Sequence, residues 1–105
     1  MKRGEIWWAE LGLPAGRRPV LLLSRNEAYS IRKLVTVAPI TTRIRNIPSE
    51  VPLDAKDGLP KPCVINLDSI TTIAKACLSD RLAILNTEKQ KAVELAIRFA
   101  LGMKA

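Results

Sequence analysis

Histidine is absent from this 105-residue chain. Its absence removes Ser–His–Asp and Cys–His nucleophilic sites within the chain, and the two-histidine acid–base pair of metal-free nucleases. Cysteine is scarce. Cys63 and Cys77, with no histidine to join them, cannot complete a four-ligand zinc site in one chain. In a reducing compartment both are expected as packed free thiols. The acids are scattered and show no spaced carboxylate cluster of the kind a two-metal nuclease site requires. Neither a P-loop nor a G-x-G-x-x-G occurs. No apolar run approaches the ~20 residues of a membrane-spanning helix. The opening Met1-Lys2-Arg3-Gly4-Glu5 runs into a strand pattern without a signal-peptide core. The expectation is a cytoplasmic protein with no metal, no cofactor and no membrane partner.

What is abundant is positive charge. Lys and Arg number 17 against 10 Asp and Glu, a net +7. Placement matters more than the total. Arg17, Arg18, Arg25, Arg32, Lys33, Arg43 and Arg45 fall between residues 15 and 45 against one acid, Glu27, and the rest of the chain is nearly neutral. A basic stretch on a near-neutral domain points to a polyanion partner, although a solvated face has the same composition. The preponderance of Arg favours bidentate phosphate contacts. Arg, Lys, Thr and Ser chemistry can hold a phosphate and stabilise charge on it. Composition therefore reaches a basic, β-rich nucleic-acid binder and leaves catalysis open.

Length suits one domain, residues 1–105. A hydrophobic content of 48% argues against disorder. A chain this small buries only ~65% of its unfolded surface, so a second copy would add stability. Strands are expected over Glu5–Leu11, Pro19–Ser24, Leu34–Ile40 and Ser49–Leu53. Leu34–Ile40 reads as buried on both faces, with Pro39 near its end, where a missing N–H is tolerable. Cys63–Leu67 and Ser69–Ile73 are β-rich and could form one bent strand, and Arg81–Leu85 is a last short one. Gly12–Gly16, Thr41–Pro48 and Asp54–Pro62 read as loops, and Asn26–Ile31 holds one helical turn. The clearest element is a C-terminal helix. Thr87 and Gln90 form an S/T-x-x-Q capping box, Val93, Ile97, Ala100 and Leu101 mark a buried face, and Gly102 stops it. Short strands followed by a terminal helix suit a small, strongly curved antiparallel sheet or open barrel. Trp7 and Trp8 face opposite ways on their strand. One belongs to the core, and the other to an interface or to base stacking.

Several stretches resemble the MazF/PemK toxin family. They are Arg3-Gly4-Glu5-Ile6-Trp7-Trp8-Ala9-Glu10-Leu11, Arg17-Arg18-Pro19-Val20-Leu21-Leu22, Ala38-Pro39-Ile40-Thr41-Thr42, Cys63-Val64-Ile65-Asn66-Leu67-Asp68, Leu78-Ser79-Asp80-Arg81-Leu82 and the ending Ala100-Leu101-Gly102. They follow the family's order over nearly the whole chain. The resemblance implies a mainly β SH3-like barrel with a C-terminal helix, of the MazF/CcdB type. It implies a homodimer with RNA along a groove at the dimer interface, and a cognate antitoxin whose acidic, flexible segment fills that groove. It further implies sequence-specific cleavage of single-stranded RNA that leaves a 2′,3′-cyclic phosphate and a 5′-hydroxyl.

By the resemblance, Arg18 occupies the position of the active-site arginine and Thr41 that of the threonine closing the next strand. Asp68 matches an acidic position that only some members have. A guanidinium can meet the charge that builds on a phosphate under 2′-OH attack, and it holds its proton too tightly to be a good general acid. The Thr41 hydroxyl could donate to a phosphate oxygen, or only serve a turn. Asp68 could be a base, a ligand of a base edge, or a turn cap beside Ser69. Arg17, Thr42, Arg43 and Arg45 are expected RNA contacts, with Arg43 and Arg45 on one side if their segment is extended. Between Leu11 and Arg17 many relatives carry a longer loop that helps hold bases, so the cleavage motif is unassigned. Two other functions fit the same fold: a gyrase-type protein inhibitor and a non-catalytic RNA-binding module.

Overall fold

In the computed structural model, which describes residues 1–104, seven strands form one antiparallel sheet. They are β1 (Glu5–Glu10), β2 (Arg17–Leu22), β3 (Leu34–Thr41), β4 (Glu50–Leu53), β5 (Cys63–Asn66), β6 (Thr71–Ala74) and β7 (Leu78–Ile84). A single-turn helix α1 (Ala28–Ile31) joins β2 to β3, and α2 (Thr87–Ala100) closes the fold. The strand order is β4-β5-β3-β2-β1-β7, with β6 also on β3. β5 and β6 follow one another along the edge of β3 opposite β2. The bent strand expected there is two strands, separated by a 3-10 turn at Leu67–Ser69.

Alternation of side chains divides the interior in two. Leu21, Leu23, Ala38 and Ile40 join Ile6, Val51, Ile65, Leu67, Val93 and Ala96 in the cluster beneath α2. Val20, Leu22, Val35 and Val37 point the other way, onto Ala9, Tyr29 and Leu78, with Trp7 packed alongside. β3 is thus buried on both faces, as its unbroken apolar run implies. The sheet curls far enough for the loop after β4 to reach β7. A Cβ on Gly58 would stand 3.1 Å from the Ala83 Cβ, and Gly58 holds φ +91°. Only glycine suits that contact and that backbone.

The termini of α2 differ from the sequence expectation. The N-cap is Asn86, one residue earlier than expected, and its side chain accepts from the Lys89 N–H at 2.8 Å. Gln90 does not complete a box with Thr87; its Nε2 donates back to the Leu85 carbonyl at 2.9 Å. Asn is a stronger cap than Thr, and here its extended backbone is the one at the boundary. At the other end Gly102 takes φ +69°, and Met103 N–H returns to the Arg98 carbonyl at 2.7 Å. The glycine stop holds. Leu101 does not belong to the buried face; it is exposed, with Ala96 in its place.

Candidate active site

Antiparallel pairing brings the start of β2 beside the end of β3. The β2–β3 ladder has its last pair at Val20–Pro39. Two residues further, Arg18 and Thr41 stand across from each other, and the diverging ends open a cleft of about 180 Å³. Its floor and walls are Trp8, Pro19, Ile40 and Cys63, and the segment Leu59-Pro60-Lys61 forms the far rim. Most of this lining is apolar, and its polar groups are Arg18, Thr41, Thr42 and Lys61.

Arg18 is anchored by one donor only. Its Nε–H donates to the Ala15 carbonyl at 2.9 Å. Ala15 belongs to the short loop after β1, itself closed by Leu11 N–H to Gly16 O at 2.9 Å and Gly16 N–H to Gly12 O at 2.6 Å. The short loop therefore fixes the guanidinium plane and leaves both terminal NH2 groups for a ligand. Among the described residues no carboxylate forms an ion pair with Arg18. Thr41 Oγ1 accepts from the Arg43 N–H at 3.1 Å. A hydroxyl has one proton and two lone pairs, so this bond leaves its O–H free to donate into the cleft. The Cys63 thiol is buried. Burial pushes its pKa up, and Asp57 and Asp54 add to the rise, so it lies in the wall as an inert group.

This is an unneutralised guanidinium beside a threonine hydroxyl, at the mouth of an apolar cleft on a half-barrel sheet. The profile of the PemK-like, MazF-like toxin of type II toxin-antitoxin systems matches residues 2–101. The chain belongs to this family. The probable endoribonuclease MazF5 of Mycobacterium tuberculosis is 40% identical to it over 94% of this chain and 91% of the relative. Endoribonuclease MazF3 of the same species is 40% identical over 82% of this chain and 84% of its own. Among solved structures, the M. tuberculosis toxin MazF-mt6 superposes with a TM-score of 0.89 at 36% identity, covering 96% of this chain and 99% of that one. A mycobacterial endoribonuclease in complex with its cognate antitoxin gives 0.88 at 28% identity, covering 100% and 98%.

Not every expected site residue of this MazF-like chain meets in the cleft. Arg18, Thr41 and Thr42 line it. Arg43 and Arg45 follow at once on an exposed segment. Arg17 is committed elsewhere: its guanidinium lies 4.5 Å from the Trp8 ring centroid and pairs with Glu10 at 3.2 Å and Asp80 at 3.5 Å. Arg25, Arg32 and Lys33 lie at the opposite end of β2 and β3. An eight-residue strand is ~25 Å long, so the basic stretch is continuous in sequence and split in space.

Asp68 does not line the cleft within this chain. It stands in the 3-10 turn after β5, four residues beyond Val64, the partner of Thr41. Its carboxylate accepts from the Ser49 hydroxyl, and its N–H is capped by Asn66 Oδ1 at 2.9 Å. Within one chain it tethers the β5 turn to β4. Sequence reasoning also passed over Lys61, the second cation on the rim, and Leu59 and Pro60 beside it. Their only signal is a Pro-flanked Asp-Gly loop, which marks a turn and says nothing of where the turn lands. Among the described residues no three Cys, Asp or Glu side chains converge as a metal site would require.

Proposed function

We propose that this chain is the toxin of a type II toxin–antitoxin pair, an endoribonuclease that cuts single-stranded RNA by attack of the 2′-hydroxyl on its own 3′-phosphate. The observation that carries this reading is the Arg18 guanidinium, held by its Nε and unpaired at its two outer nitrogens, in the same cleft as the Thr41 hydroxyl. The relatives named endoribonuclease support it. The attack forms a 2′-O–P bond and breaks the P–O5′ bond. The 2′ proton is lost and the 5′-oxygen gains one, which leaves a 2′,3′-cyclic phosphate and a 5′-hydroxyl.

Negative charge grows on the non-bridging oxygens at the transition state. The outer guanidinium N–H groups of Arg18 and the Thr41 hydroxyl, both in the cleft, supply the donors that stabilise it. Thr42, Arg43, Arg45 and Lys61 extend the donor set along the strand. The apolar wall of Trp8, Pro19 and Pro60 suits an unstacked base. Asp68, bound to Ser49, is given a structural role. The protein acts as a homodimer in the cytoplasm, and an acidic antitoxin segment neutralises it by occupying the same cationic end. No helix among the described residues is long and apolar enough to cross a membrane.

Incubation of the purified protein with RNA in excess EDTA, followed by primer-extension mapping, tests the reading. Discrete cuts are expected, and a single 2′-deoxy nucleotide at a cut site should abolish that cut while binding persists. Cleavage that requires magnesium, or that proceeds at the deoxy position, overturns the proposed chemistry. Intact RNA leaves the protein inhibitor and the non-catalytic binding module.

A further inference from the structure

Glu50 opens β4 and is 8% exposed, one of three buried polar or charged side chains among the described residues. Its Oε1 accepts two main-chain N–H groups at once, Arg45 at 2.9 Å and Asn46 at 3.2 Å. Its Oε2 is buried and has no hydrogen-bond partner among the described residues. A buried carboxylate with one oxygen unpaired is costly, and a threonine or valine would serve a strand start better. What the carboxylate does is local. Asn46 holds φ +57°, a left-handed conformation that a side chain disfavours. Glu50 N–H also donates to the Ile47 carbonyl at 3.0 Å, so backbone and side chain of one residue grip the turn between Arg45 and Glu50. At the other end of the same segment, Thr41 Oγ1 holds the Arg43 N–H. Arg43, Ile44 and Arg45 are therefore suspended between two side-chain clamps, one in the cleft and one in the core.

We infer that Glu50 is a positioning residue for RNA, which fixes the Arg45–Asn46 backbone and so the direction in which Arg43 and Arg45 present their guanidinium groups to successive phosphates. The inference rests on the reading of those arginines as RNA contacts. A charged acceptor serves this purpose better than a neutral one, since carboxylate bonds to main-chain N–H groups are about twice as strong. The Oε1 geometry matters more than the charge, because a single oxygen takes both donors.

The test uses an RNA that the wild-type protein cuts, with a 2′-deoxy nucleotide at the cut site for binding and the natural one for turnover. Glu50→Ala should weaken binding about tenfold, the order of one charge-assisted phosphate contact. It should lower the slope of log K against log salt by about 0.7 for each phosphate that is no longer neutralised. The rate at saturating RNA should stay within about twofold of wild type, because Arg18 and Thr41 are untouched. Glu50→Gln, whose amide oxygen can accept the same two N–H groups, should recover most of the affinity. In an Arg43→Ala/Arg45→Ala background Glu50→Ala should add little. Unchanged affinity and salt slope in Glu50→Ala overturns the inference, as does a loss at saturation that Glu50→Gln does not relieve. If Glu50→Ala fails to fold, Glu50→Gln and amide exchange in the wild type decide. The Arg45 and Asn46 amides should exchange more slowly than that of Ile44, and equal rates overturn the inference. Failure of the wild type to cut any RNA instead overturns the function proposed above.

Discussion

The guanidinium of Arg17 lies over the Trp8 ring, 4.5 Å from its centroid, while the next residue, Arg18, lines the cleft of which that same Trp8 is a wall. Two adjacent arginines of identical chemistry are thereby given different work. Arg17 is balanced by Glu10, Asp80 and an aromatic face. Arg18 keeps its charge for a ligand.

Arg18→Ala should leave RNA affinity within a few-fold of wild type and remove turnover at saturation. Loss of one donor aimed at developing charge typically costs ~3 kcal/mol, a hundredfold or more in rate. Single-turnover cleavage with saturating RNA measures it, and a rate near that of the wild type would place the active site elsewhere. The variant should also no longer arrest growth when expressed.

Arg17→Ala should behave differently from Arg43→Ala and Arg45→Ala. The latter two should each flatten the salt dependence of binding by about 0.7 in slope. Arg17→Ala should change that slope little, since its charge is already offset by two carboxylates. These exposed pairs contribute at most about 1 kcal/mol each to stability, so a small loss of Tm is the main effect. Binding titrations from 50 to 300 mM salt, roughly the range over which such slopes are read, separate the three variants.

The two candidate caps of α2 can be told apart by melting. Asn86→Ala removes the acceptor of the Lys89 N–H and should cost ~1 kcal/mol. Thr87→Ala removes no capping bond and puts a better helix former at the first helical position, so its Tm should match or exceed that of the wild type. The reverse order would restore Thr87 as the cap.

Glu5 supplies a pH dependence. Burial alone would push its pKa up, but the Trp7 indole N–H, the Lys2 amide, the amino terminus and Arg81 together outweigh it and hold the carboxyl below its ordinary 4.5. A depressed carboxyl stabilises the fold fully above its unfolded pKa, and that stability is lost as pH falls through the folded value. Glu5→Gln should therefore lower Tm at pH 7, and the gap from wild type should narrow as pH drops below 4.5. A gap that is constant down to acid pH would show that the loss is one of packing, not of charge.

Much was legible along the chain because it depends on near neighbours. The short apolar run of Val20–Leu23 and the unbroken apolar run of β3 mark strands, and the pleat then sends their side chains alternately to the two faces. The left-handed Gly102 and the turn at Asp57-Gly58 follow from what a residue without a Cβ permits. The missing histidines bounded the chemistry before any contact was known, since a side chain that is not encoded cannot act.

What only the tertiary structure decided are relations across the sheet. Curvature and antiparallel pairing bring Arg18 and Thr41 to one cleft, set Lys61 on its far rim, and leave Arg32 and Lys33 at the far end of the strands. Charge counted along the sequence carries no information about which end of a strand it occupies. The place of Asp68 was hidden for the same reason: a 3-10 turn after Asn66, which no periodicity announces, takes its carboxylate away to Ser49. The double grip of Glu50 on Arg45 and Asn46 was invisible too. It needs a backbone bent at Asn46 and a strand that returns beneath it, and a hydrogen bond exists only once both partners have been brought within about 3 Å of one another.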